Sequence, residues 1–213
     1  MVAQTDLFSP DVLDPGGAAA VLPMDRKMIC CAKCKLSKSR VNVVLGEGCM
    51  LTPPVMFVGE GPGAQEDAKG RPFVGPAGRL LDKMILAMGL TRESVYLTSV
   101  VACRPPQNRQ PEPDEIIACT PFLLAHVAAI RPKVLVALGA TAGRTLLHTR
   151  QGVADLRGRW HSLGQAKDGI PVRVTYHPAF LLRPDGVQCK TAAWKDLQEV
   201  MKLIGLKTEA SAP

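Results

Sequence analysis

Short apolar runs alternate with amphipathic stretches along this chain, and the alternation predicts a fold. Residues 55–59 (VMFVG) are continuously apolar, as a parallel strand buried on both faces is. Residues 76–89 space Leu80, Leu81, Met84, Ile85 and Met88 as one face of a helix. VYLTSVV at 95–101 reads as a second strand, and Pro113-Asp114-Glu115 starts a helix that ends near Ile130. KVLVALG at 133–139 is the clearest buried strand, with a helix from about 141 to 147 behind it. VRVTYH at 172–177 makes a fourth strand, an amphipathic helix covers 190–205, and residues 28–40 read as a short helix carrying the first cysteines. Strand and helix in alternation predict an α/β fold: a single-domain three-layer αβα arrangement with a central four-stranded parallel sheet. Residues 1–27 lack periodicity and read as a poorly ordered N-terminal arm, 28–205 as the domain and 206–213 as a fraying tail.

In sheets of this kind ligands bind beyond the carboxyl ends of the strands. GEGPG at 59–63, Ser99 and His177 all fall at or just past a predicted strand end, which is the strongest physical pointer to a site. The glycine-rich turn lacks the Gly-Lys-Ser/Thr of a triphosphate loop and the spacing of a dinucleotide fingerprint. Its acids, Glu60, Glu66 and Asp67, would repel phosphate. Carboxylates at a strand end suit orienting a water or stabilising positive charge developing on a sugar. Phe73, one of only five Phe, is either a base-stacking platform or a core plug, and its spacing favours the plug.

Composition adds constraints. The chain has 213 residues, 46% of them apolar, enough for one core. A net charge of +7 favours an anionic partner such as nucleic acid. No continuous apolar run predicts a membrane span, and residues 1–27 lack the pattern of a secretory signal, so the expected location is cytoplasmic. Seven cysteines there point to metal or thiol chemistry rather than disulfides. Cys31 and Cys34 form a close pair in CAKC, with Cys103 and Cys119 far downstream. These four can hold a soft metal or an iron–sulfur cluster only if the fold brings the two groups together, and spacing alone fits zinc as well. Cys30, Cys49 and Cys189 read as bystanders.

The stretch VGEGPGAQEDAKGRPFVGPAGRLL, then CRPPQNRQPEP with Cys119 beyond it, then LRGRWH and YHPAFLLR, resembles family 4 uracil-DNA glycosylases; CAKCKLSKSR with VVLGEG resembles that family's start. The resemblance implies a 4Fe-4S cluster on Cys31, Cys34, Cys103 and Cys119, and excision of uracil from single- or double-stranded DNA; the chain is assumed to be a monomer. It implies that Phe73 stacks on the flipped uracil and that His177 donates to its O2. Backbone N–H groups of the Gly61–Gly63 turn would join His177 in stabilising the departing anion. Glu60 and Glu66 would orient water and favour the sugar cation. Leu181 would wedge into the minor groove, with Arg183 on the DNA backbone. Gly61 occupies the position where other uracil glycosylases carry an aspartate, consistent with this family. Ser99 departs from it: the resemblance implies an asparagine reading the N3–H and O4 edge of uracil. The loop RPPQNRQPEP has no histidine, which disfavours the covalent trapping of a related subgroup. The competing readings are a catalytically weak or inactive relative that binds uracil-containing DNA, and an iron–sulfur redox protein.

Overall fold

The structure, a computed structural model, describes residue 25 and residues 27–164 and 169–207. Its strands are β1 (Glu47–Gly48), β2 (Val55–Gly59), β3 (Tyr96–Ser99), β4 (Val134–Leu138), β5 (Trp160–Leu163) and β6 (Ile170–Thr175). Its helices are α1 (Ala64–Lys69), α2 (Pro76–Ala87), α3 (Pro113–Ile130), α4 (Ala140–Leu147), α5 (Val153–Leu156), α6 (Pro178–Leu181) and α7 (Lys190–Leu203). The sheet order is β1-β3-β2-β4-β6-β5. The four central strands run parallel, and the two edge strands pair antiparallel. The sheet is therefore six-stranded rather than four-stranded. Neither edge carries a pattern of its own: β1 has two residues, and β5 buries only Leu163.

Alternate strand residues feed two cores, as the two-residue period of a strand requires. Met56, Val58, Leu135, Ala137, Val172 and Val174 face Leu123, Val127 and Ile130 of α3 and Leu146 of α4. Val55, Phe57, Leu97, Val134 and Val136 face Leu81 and Ile85 of α2 and Leu197 and Val200 of α7. The result is a three-layer sandwich. By length and composition alone α3 could cross a membrane. Here it lies along the sheet, burying Phe122, Leu123, Val127 and Ile130 together with Glu115 and His126.

The expected helix over 28–40 does not form as one piece. A helical turn ends at Ile29, Cys31 and Cys34 lie in the irregular segment after it, and a 3-10 turn covers Lys35–Lys38. Ser37 and Ser39 hydroxyls bond back to the carbonyls of Cys34 and Leu36, competing with helical pairing, while the buried Leu36 anchors the segment. The expected N-terminal arm lies almost wholly outside the described residues, as does most of the tail.

Candidate active site

The parallel strands end together, and the segments leaving them enclose a cavity of about 780 Å3. Glu60, Gly61 and Gly63 follow β2, Ser99 closes β3, Gly139 follows β4, and Tyr176 and His177 follow β6; all line the cavity, together with Phe73. A further wall comes from Pro105 and from Asn108 to Pro111 in the loop after β3.

The three acids of the glycine turn have separate fates. Buried Asp67 accepts from Val41 N at 2.9 Å and Asn42 N at 3.1 Å, tying down the segment after the first cysteines. Glu66 accepts from Gly63 N at 3.2 Å, Val74 N at 2.9 Å and Gly75 N at 2.7 Å. Its carboxylate thus braces two pocket loops against each other, and it also lines the cavity. The same contact removes Gly63 from the expected anion-stabilising set, and Pro62 has no N–H, so Gly61 alone of that turn offers one. Glu60 also lines the cavity but is held more lightly: one oxygen accepts from the Thr141 hydroxyl. Thr141 was not among the sequence candidates, although it lies just beyond the end of β4, where the strand-end rule could have found it.

Phe73 is buried at 7% exposure and also lines the cavity, so plug and platform are one residue. A side chain on Gly59 would come within 2.6 Å of its ring, so the ring covers the end of β2. It lies 6.3 Å from the His177 imidazole, centroid to centroid, at 31°.

His177 Nδ1 accepts from Ala179 N at 3.1 Å. That bond assigns the ring proton to Nε2, leaving an N–H donor. Burial pushes the imidazole down from its ordinary 6.5 to about 4, with Glu66 pulling weakly the other way. The site therefore holds a neutral imidazole with one available donor.

At the rim, Leu181 is only 2% exposed and packs inward, whereas Leu182 is 47% exposed. The expected wedge at Leu181 is corrected accordingly: α6 turns Leu181 into the protein and leaves Leu182 and Arg183 at the cavity mouth. Across the mouth, Arg109 donates to both oxygens of buried Glu115 at 2.7 and 2.8 Å and holds that carboxyl below the usual range. Lys35 bonds to Glu112 in the same loop.

Cys31, Cys34, Cys103 and Cys119 converge on a second, small cavity of about 20 Å3 that also touches Lys33 and Arg40. Arg40 Nη1 donates to Cys103 Sγ at 3.2 Å. Burial pushes the Cys119 thiol up to about 12, and it raises the Cys103 thiol against the pull of Arg40. Cys30 is exposed.

A family model described as Uracil DNA glycosylase superfamily matches residues 45–198. A Thermotoga maritima protein named type-4 uracil-DNA glycosylase is 43% identical over 175 residues, covering 82% of this chain and 89% of that protein. One of the same name from Archaeoglobus fulgidus is 38% identical over 187 residues, covering 85% and 92%. A Pyrobaculum aerophilum protein named type-5 uracil-DNA glycosylase is 32% identical over 144 residues, covering 61% and 62%. The chain belongs to the uracil-DNA glycosylase superfamily.

Ser99, which departs from the asparagine that the resemblance implied, closes β3 at the cavity. Its Oγ reaches within 3.2 Å of where a Gly59 side chain would start, beside the ring of Phe73, and has no hydrogen-bond partner among the described residues. Tyr176, also missed in the sequence, stacks on Phe180 at 5.5 Å and under the Arg157 guanidinium at 5.2 Å. Arg157 in turn binds buried Asp196 at 3.0 Å, which also takes Arg173 and Thr175 of β6. The segment leading into His177 is thereby anchored to α7.

Proposed function

We propose that the chain excises uracil from DNA by hydrolysing the N-glycosidic bond, leaving an abasic site. The observation that carries this reading is one cavity shared by Phe73, Ser99, Glu60 and a neutral His177. A base inside a duplex cannot reach such a cavity, so the uridine must be extruded. Leu182 fills the gap left in the stack and Arg183 meets the phosphates. Phe73 stacks on the base, and Ser99 meets its N3–O4 edge. As the C1′–N1 bond breaks, the sugar gains oxocarbenium character and uracil leaves as an anion. The Nε2–H of His177 and the N–H of Gly61 donate to the carbonyl oxygen where that charge collects. A neutral imidazole suits this task, because it donates without surrendering its proton. Glu60, oriented by Thr141, faces the sugar and stabilises its positive charge, and it orients the attacking water.

Cys31, Cys34, Cys103 and Cys119 would hold a 4Fe-4S cluster. Four cysteines line one shared cavity, with Lys33 and Arg40 to offset the charge of their thiolates, a donor set that fits an iron–sulfur cluster. When bound, the cluster staples the N-terminal segment to the loop after β3, and hydrolysis draws no electrons from it.

The test is abasic-site formation on uracil-containing oligonucleotides, single-stranded and with U·G or U·A. Alkali-labile breaks at uracil are expected in all three. Tight binding without breaks would favour a uracil-binding relative, the reading that Ser99 supports, because one short hydroxyl meets both groups that an amide reads only in a different geometry.

A further inference from the structure

Phe73 occupies the left-handed backbone region at φ 51°, where a phenylalanine is a genuine outlier and persists only when its surroundings over-determine it. The surroundings here are specific. Glu66 holds the N–H groups of the next two residues. The Phe73 carbonyl lies against Gly78, where an added Cβ would come within 1.9 Å of it. Arg92 Nη1 donates to that same carbonyl at 3.2 Å, and its Nη2 donates to the Pro72 carbonyl.

Arg92 does not line the cavity and has no part in the chemistry above. It is half-buried between two carboxylates, Glu47 at 3.2 Å and Asp82 at 2.8 Å. Glu47 also takes Arg71 at 2.6 and 2.8 Å, so the chain just before Phe73 is tied to the same point. Glu47 is half of the two-residue strand β1, whose pairing with β3 places the carboxylate there. Only a planar fork of five donors can span two successive carbonyls and two carboxylates at once; a lysine ammonium cannot.

We infer that Arg92, clamped by Glu47 and Asp82, is a positioning residue that holds Phe73 in its left-handed conformation and so keeps the ring in place as the stacking surface of the pocket. The inference rests on the proposed excision of uracil and adds residues remote from the cavity to its machinery. It also gives the minimal edge strand β1 a purpose.

The test is a double-mutant cycle read in two ways: the maximal single-turnover rate on a uracil-containing duplex, and the affinity for a duplex carrying a tetrahydrofuran abasic analogue, which needs no base in the pocket. R92M is expected to lower the rate about ten- to a hundredfold, as misplacement of a positioning group does, while analogue affinity stays within about twofold. R92K recovers part of the loss. In R92M/F73A the losses do not add, because Arg92 acts through Phe73. A wild-type rate in R92M, fully additive losses, or loss of analogue affinity in parallel with rate overturns the inference. Should R92M fail to fold, E47Q with F73A forms the same cycle, and additive losses there overturn it equally. A wild-type rate in F73A removes the stacking role and the inference together. A wild-type protein that releases no uracil removes the proposed function itself, and the inference falls with it.

Discussion

The cavity at the strand ends and the cavity between the cysteines are neighbours built on opposite principles from one shared segment. The first holds about 780 Å3 and keeps an imidazole, a carboxylate and a hydroxyl facing open space. The second holds about 20 Å3 and gathers four thiols beside two cations. Yet the chain from 99 to 119 serves both in turn: Ser99 faces the large cavity, Cys103 the small one, Pro105 to Pro111 the large one again, and Cys119 the small one. Arg109–Glu115 and Lys35–Glu112 cross-link that segment to itself and to the first cysteine pair. The Pro105 to Pro111 wall of the pocket is therefore braced by the cysteine site as well as by the sheet. What binds the thiols should therefore be felt in the pocket.

The largest effect tests that coupling directly. C103A is expected to abolish the visible absorbance of an iron–sulfur chromophore and uracil release together; release that survives loss of the chromophore would separate the two regions. Next comes the contrast within the glycine turn. E60Q should lower the single-turnover rate about 10²–10³-fold with little change in melting temperature, as loss of a transition-state electrostatic contact does. E66Q should instead lower stability by about 1–3 kcal/mol by unpairing backbone donors, measured by denaturant titration. If E66Q alone removed catalysis without destabilising the fold, the two assignments would have to be exchanged.

At the rim, L181A should cost about 2–5 kcal/mol of stability, as cavity-forming substitutions do. L182A should leave stability within about 0.5 kcal/mol, as surface changes do, and weaken excision from duplex more than from single-stranded DNA. A pH series separates the imidazole from the rest. Because burial lowers the His177 pKa from 6.5 to about 4, the unfolded chain binds a proton in that window that the folded one does not. Its contribution, about 3 kcal/mol, is fully present above the unfolded pKa and is lost as pH falls towards the folded one. H177N should flatten that slope in denaturant midpoints, and the wild-type rate should show no His177 titration at mildly acid pH. The smallest expected effect is at Ser99. S99N supplies an amide for the base edge and should raise uracil release about tenfold, the worth of one buried base contact; an unchanged rate would mean that Ser99 does not limit base reading.

Much of this architecture was legible beforehand. The runs at 55–59 and 133–139 could only be strands buried on both faces, and the helical spacing of Leu80, Leu81, Met84, Ile85 and Met88 had one reading. The cavity's position followed as well, since strand ends in a parallel sheet coincide in space whatever the loops do. These features depend on each residue's near neighbours in the chain, and periodicity records them.

Only the tertiary structure decided which of several chemically equivalent residues is free to act. Glu60 and Glu66 are the same side chain six positions apart, and both line the cavity; the fold gives one three backbone N–H donors and the other a single hydroxyl. Leu181 and Leu182 are adjacent and identical, and a single turn of helix buries the first and exposes the second. The edge strands and the Arg92 clamp on Phe73 join residues distant in the chain and leave no local trace. Composition and spacing determine which groups are present, whereas their availability depends on partners brought from elsewhere by folding.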